Sequence, residues 1–154
     1  MPTAADRADA LALTRTLVDA LSRSARTVER RTGVTNAQLF LLQEIAAHDE
    51  LSVNALAVRA RTTQGTVSAV LGRLVRAGFA RKSRSATDGR VVMISLTTAG
   101  RRLLRGAPRT TVAHLIAAVD ALSARETHAL KAGLCALVRA LRLGTTDAPL
   151  LFER

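Results

Sequence analysis

Aromatic residues are nearly missing from this 154-residue chain, at 2% of the total with no tryptophan and no tyrosine. Any core must therefore be built from Leu, Val, Ile and Ala, which favours closely packed helices. The single cysteine, Cys135, excludes an internal disulfide, and with three scattered histidines it offers no metal-ligand spacing. No metal or cofactor is expected. No apolar run approaches the roughly 18 residues that a membrane span requires, and the N-terminal Met-Pro-Thr-Ala-Ala-Asp-Arg lacks the apolar stretch of a signal peptide. A cytoplasmic protein without a membrane partner is the expectation. Nor does the chain offer a nucleophile paired with a base or a phosphate-binding loop, so an enzyme is not expected.

What the chain has instead is arginine. The formal net charge is +11, and of the 23 basic residues only Lys82 and Lys131 are lysines. A mere compositional bias would spread arginine evenly. Here residues 1–58 carry six basic and seven acidic groups, net −1, whereas residues 59–90 carry eight and one, net +7. Residues 91–154 carry nine and four, net +5. The concentration mid-chain points to a polyanionic partner.

Apolar spacing predicts a long amphipathic helix from Ala8 to Arg31, carrying Leu11, Leu17, Leu21, Ala25 and Val28 and stopped by Gly33. Thr35 and Gln38 form a capping box for a second helix to about His48, with Leu39, Leu42, Ile45 and Ala46 on one face. After the acidic turn His48-Asp49-Glu50, Ser52 caps a short helix whose Leu56 and Val58 are expected to point inward. Thr62 or Thr63 caps the next, in which Val67, Val70, Leu71 and Leu74 form an apolar stripe that ends at Gly78. Two helices joined by about three residues make a helix-turn-helix.

Beyond Gly78 the period changes to that of strands, Phe79 to Arg84 and Val91 to Leu96, around turn residues ending in Asp88-Gly89. This hairpin is a wing. Thr97 or Thr98 opens a further helix that Gly106-Ala107-Pro108 should kink or split before Val112, Leu115, Ile116 and Val119. Ser123 and Glu126 make a second capping box, for a last helix with Leu130, Leu134, Leu137 and Leu141, stopped at Gly144 before a tail containing Pro149. The expectation is six helices and one hairpin: mainly α with a small β-hairpin wing, a winged helix-turn-helix flanked by N- and C-terminal helices. Those end helices carry more apolar surface than the central module can cover, which suggests a two-fold dimer interface. The division is residues 1–34 and 106–146 for dimerisation, 35–105 for DNA binding and 147–154 as a tail.

With Val67, Val70, Leu71 and Leu74 inward, Thr63, Thr66, Ser68 or Ala69, Arg73 and Arg76 are expected outward. A helix entering the major groove needs short side chains near its start and groups that can meet base edges, a need that Thr62, Thr63, Gln64, Thr66 and Ser68 fit. Arg81, Lys82, Arg84 and Arg90 make the wing basic, and Asp88 is placed either to hold the Arg90 guanidinium or to serve the turn.

These segments resemble the MarR family of bacterial transcriptional regulators. The resemblance rests on Leu56-Ala57 followed by Thr62-Thr63-Gln64-Gly65-Thr66-Val67-Ser68, on Leu71, Leu74 and Gly78, on Asp88-Gly89-Arg90, and on Ile94-Ser95-Leu96-Thr97-Thr98-Ala99-Gly100 leading into a helix. It implies a homodimer that binds a pseudo-palindromic double-stranded DNA operator, usually as a repressor. By position, Thr62, Thr63, Gln64, Thr66, Val67, Ser68, Arg73 and Arg76 correspond to the recognition helix, and Arg84, Asp88 and Arg90 belong to the wing. Many relatives release DNA when a small aromatic or phenolic anion enters a cleft between the dimer helices and the winged module. Phe40, Glu44 and Arg81 are candidates to line it. Cys135 lies in the last helix, not the first, which departs from the oxidation-sensing branch, and the missing tryptophan departs from the urate-responsive one. The competing reading is a winged-helix protein-interaction module that does not read DNA sequence.

Overall fold

The computed structural model describes residues 1–143. The expected stop at Gly144, the end of the 106–146 region and the 147–154 tail with Pro149 lie outside the described residues. Seven helices and three strands are present among them: α1 (Ala4–Thr32), α2 (Asn36–Ala47), β1 (Glu50–Ser52), α3 (Val53–Arg59), α4 (Gln64–Arg76), β2 (Ala80–Arg84), β3 (Val92–Leu96), α5 (Thr98–Leu104), α6 (Thr111–Asp120) and α7 (Ala124–Ala140).

The helix boundaries follow local chemistry. Seven Ser or Thr side chains accept a hydrogen bond from a first-turn amide, namely Thr3, Thr35, Ser52, Thr63, Thr97, Thr110 and Ser123. At Thr3, Thr35 and Ser123 the third residue of the helix returns a bond to the cap amide, closing a full capping box. Gly33 stops α1 at φ 71°, in the left-handed region where a side chain is disfavoured. The split between α5 and α6 is complete: Arg105 ends α5, Gly106 turns at φ 76°, and Gln43 Nε2 donates to the Pro108 carbonyl at 2.9 Å. Of the kink or split expected there, the split is what forms, giving seven described helices where six were expected.

α2 is the hub. Leu39, Phe40, Leu41, Leu42 and Ile45 are all buried, while Ala46, expected on the inner face, is exposed. The helix is surrounded by α1, α4, α5, α6 and β3, so its apolar residues run round most of its circumference and not along one stripe. Val67, Val70, Leu71 and Leu74 of α4 join Leu41, Leu42 and Ile45 of α2, Leu56 of α3, Ile94 and Leu96 of β3, and Val112 of α6 in one core. Val58 is a correction: it is 64% exposed. Two positions after Leu56 on a helix is about 200° away, and Ala57 and Ala60 fill the inner face instead.

The sheet has the order β1-β3-β2, all antiparallel. Ala80 to Arg84 pair with Leu96 to Val92, and β1 adds Glu50↔Ser95, Leu51↔Ile94 and Ser52↔Met93. The acidic turn thus runs into a third strand that the hairpin reading lacked. At three residues it is too short to show alternation, and its last residue doubles as the α3 cap.

The two end helices are poorly covered. α1 buries Val28 near its C-terminus, with Leu11, Leu13, Leu17 and Val18 between 48% and 71% exposed. α7 buries nothing; Leu130, Leu134, Leu137 and Leu141 lie between 40% and 59% exposed.

Candidate nucleic-acid interface

The α3–α4 pair is a helix-turn-helix in which Ala60 to Thr63 make the connection. On α4 the inward stripe is Thr66, Val67, Val70, Leu71 and Leu74. This corrects two expected contact residues. Val67 is fully buried and Thr66 nearly so, because each lies three or four residues before Val70 and shares its face. The Thr66 hydroxyl is 3.0 Å from Thr63 Oγ1, within the cap. Thr62 is half-buried, and Thr63 Oγ1 accepts the Thr66 amide at 3.2 Å. The outward face is Gln64, Gly65, Ser68, Ala69 and Arg76, with Arg73 half-buried at its edge. It is narrow, small and polar near the helix start, and basic at the far end.

Gln64 is held in place. Its Nε2 donates to Asn54 Oδ1 on α3 at 2.9 Å, leaving the Oε1 acceptor and the second N–H pointing elsewhere. Asn54 carried no sequence signal, since it sits outside the α4 motif and meets Gln64 only once the two helices pack.

The wing is exposed along β2 and at its tip, while Ile94, Ser95 and Leu96 of β3 are buried. In β2 only Ala80 is buried, while Arg81, Lys82, Ser83 and Arg84 face solvent. A charged edge strand of this kind resists pairing with another sheet. Its tip is tied by local bonds: Ser85 Oγ accepts the amides of Thr87 and Asp88 at 3.3 and 3.4 Å, and Arg84 Nη1 donates to the Gly89 carbonyl at 2.9 Å. Asp88 Oδ1 accepts the Arg90 backbone amide at 3.0 Å. Of the two roles open to Asp88, the structure shows the turn-serving one. The Arg90 side chain is presented outward from a braced loop.

A groove of about 420 Å³ lies behind α3, lined by Phe40, Glu44, Val58, Arg59, Arg61, Ala113, Ile116, Ala117 and Asp120. Phe40 and Glu44 are both there, as expected of a cleft. Arg81 is not: its Nε donates to Ser95 Oγ across the sheet at 3.0 Å. The groove cations are Arg59, ion-paired with Glu44, and Arg61, whose Nη2 meets Asp120 Oδ1 at 2.9 Å. Val58, read from the sequence as inward, lines the same groove.

Comparison with known proteins agrees with this geometry. The model of the MarR family matches residues 32–91. The chain is 30% identical over 104 residues to the uncharacterized HTH-type transcriptional regulator YfiV of Bacillus subtilis, a match covering 68% of this chain and 65% of YfiV. It therefore spans just under two thirds of that relative's length. The crystal structure of an S. aureus MepR–DNA complex is 27% identical, covering 84% of this chain and 95% of that one, with a TM-score of 0.57. A probable transcriptional regulator from Pseudomonas aeruginosa is also 27% identical with a TM-score of 0.57, covering 81% of this chain and 96% of the other. Over its winged helix-turn-helix, the chain is thus similar to the MarR family.

Proposed function

We propose that this protein is a homodimeric transcriptional regulator, a repressor, that binds a pseudo-palindromic DNA operator in the cytoplasm. The observation that carries the reading is the pairing of two exposed features: the small polar face of α4, and a braced wing whose Arg81, Lys82, Arg84 and Arg90 all face solvent. Crystallisation of the related MepR with DNA supports the same use of the module. Thr62, Thr63, Gln64, Ser68, Arg73 and Arg76 are the contacts assigned to the helix, and Arg84 and Arg90 those of the wing, with Asp88 bracing it.

Residues 35–105 form the reading module in this account, and residues 1–34 with 106–146 the dimerisation region. The uncovered Leu residues of α1 and α7 support that division, since a second copy would bury them. The groove holding Phe40, Glu44, Arg59 and Arg61 is the site assigned to a small aromatic or phenolic effector. No described helix is long and apolar enough to cross a membrane.

Selection from duplexes with a random 30-base-pair core tests the reading. Enrichment of an inverted repeat is expected. Retention without enrichment would mark a protein-interaction module that binds DNA through charge alone.

A further inference from the structure

Arg61 occupies a backbone conformation that suits glycine. Its φ is 52°, in the left-handed region that most L residues avoid. It stands in the turn of the helix-turn-helix, two positions before the Thr63 cap of α4. Glycine would relieve this backbone, so the side chain is where to look for a role. The Arg61 guanidinium reaches Asp120 at the last position of α6, 59 residues further on, at 2.9 Å. The pair spans one end of the groove between the reading helices and α6. At the same groove, the Arg59–Glu44 pair ties α3 to α2 but does not reach α6.

We propose that Arg61, acting through Asp120, is a positioning residue that sets how α4 sits relative to the dimerisation helices, and thereby which half-site spacing the dimer prefers. The inference rests on the dimeric DNA reading proposed above. Two recognition helices must lie about one helical turn of DNA apart, roughly 34 Å, so a small tilt at each turn changes the fit. The side chains are 65% and 50% exposed. Such a pair is weak and salt-screened, and it therefore biases an orientation that the core packing permits.

Arg61 is also a cation near the reading face, so the informative change is on α6. Asp120→Asn removes a negative charge. Simple electrostatics expects tighter DNA binding, whereas the strut expects weaker binding to the preferred spacing. With one pair per protomer, the expected loss is about two- to twenty-five-fold.

The test uses the full chain, the inverted repeat enriched by the wild type, and versions with one or two base pairs added or removed between half-sites. Binding is measured by fluorescence anisotropy at low and high salt. The wild type should discriminate among spacings, and Asp120→Asn should discriminate less, with the difference shrinking at high salt. The exchanged pair, Arg61→Asp with Asp120→Arg, should restore the spacing preference that each single change loses, and aspartate tolerates the left-handed backbone. Because preference is a ratio between duplexes, a general change in affinity cancels. Unchanged or tighter binding by Asp120→Asn with intact spacing preference would overturn the strut, as would failure of the exchange to restore it. A wild type that enriches no inverted repeat would instead bring down the dimeric reading, and the strut with it.

Discussion

Replacing Gly100 by alanine places a methyl carbon 2.1 Å from the Phe79 carbonyl oxygen, 3.1 Å from its carbon and 3.4 Å from its Cα. The obstacle is backbone, so no side-chain rotation relieves it, and α5 must lift by about 1 Å. Two bonds hold its first turn there: Thr97 N donates to the Phe79 carbonyl at 3.1 Å and Thr97 Oγ1 to the Gly78 carbonyl at 2.6 Å. Overpacking costs about 1–3 kcal/mol, and loosening two hydrogen bonds adds about 0.5–1.5 kcal/mol each. The better helix propensity of alanine returns about 1 kcal/mol. The net expectation is a loss of roughly 1–5 kcal/mol. Urea unfolding followed by far-ultraviolet circular dichroism, at fixed protomer concentration, should show a lower midpoint with an unchanged slope. A variant within about 0.5 kcal/mol of the parent would refute the close docking of α5 on the peptide that follows the reading helix.

At Gly65 the opposite sign is expected. The nearest atom to an added Cβ is Thr63 Oγ1 at 3.8 Å, so Gly65→Ala should stabilise by about 0.5–1 kcal/mol in thermal unfolding; a lower Tm would contradict the α4 geometry. Arg90→Ala should weaken operator binding by about 1–3 kcal/mol and reduce the salt slope by about 0.9 per protomer, with the dimer intact. Equal affinity and slope would remove the wing from the interface. The Ser123 hydroxyl, and then its backbone amide, hold the exposed Glu126 carboxyl below its ordinary 4.5. Its contribution to α7 is thus fully present above that value and fades as pH falls through the depressed one. Carbon-13 titration should show this, with Ser123→Ala returning Glu126 toward 4.5.

Much of the frame was legible because it is local. Caps at Thr35, Ser52, Thr63 and Ser123, the stop at Gly33 and the Asp88-Gly89 turn each act within four residues, and each stands where the sequence placed it. Contacts between distant segments were not legible. β1 exists only because β3 supplies its partner, Asn54 matters only because α3 and α4 pack, and Arg81 turns to Ser95 across the sheet. Thr66 was misplaced, and Val67, rightly read as inward, was still counted as a contact, for a different reason. A motif read as a continuous run ignores that a helix turns 100° per residue, and only part of Thr62 to Ser68 can face outward.

The most direct test of DNA reading compares the enriched inverted repeat with a scrambled duplex of the same length and composition, titrated across a range of salt concentrations. The account expects the repeat to bind at least about 10³-fold more tightly at physiological salt, with two protomers per duplex. Equal affinity for both duplexes, falling together with salt, would contradict it.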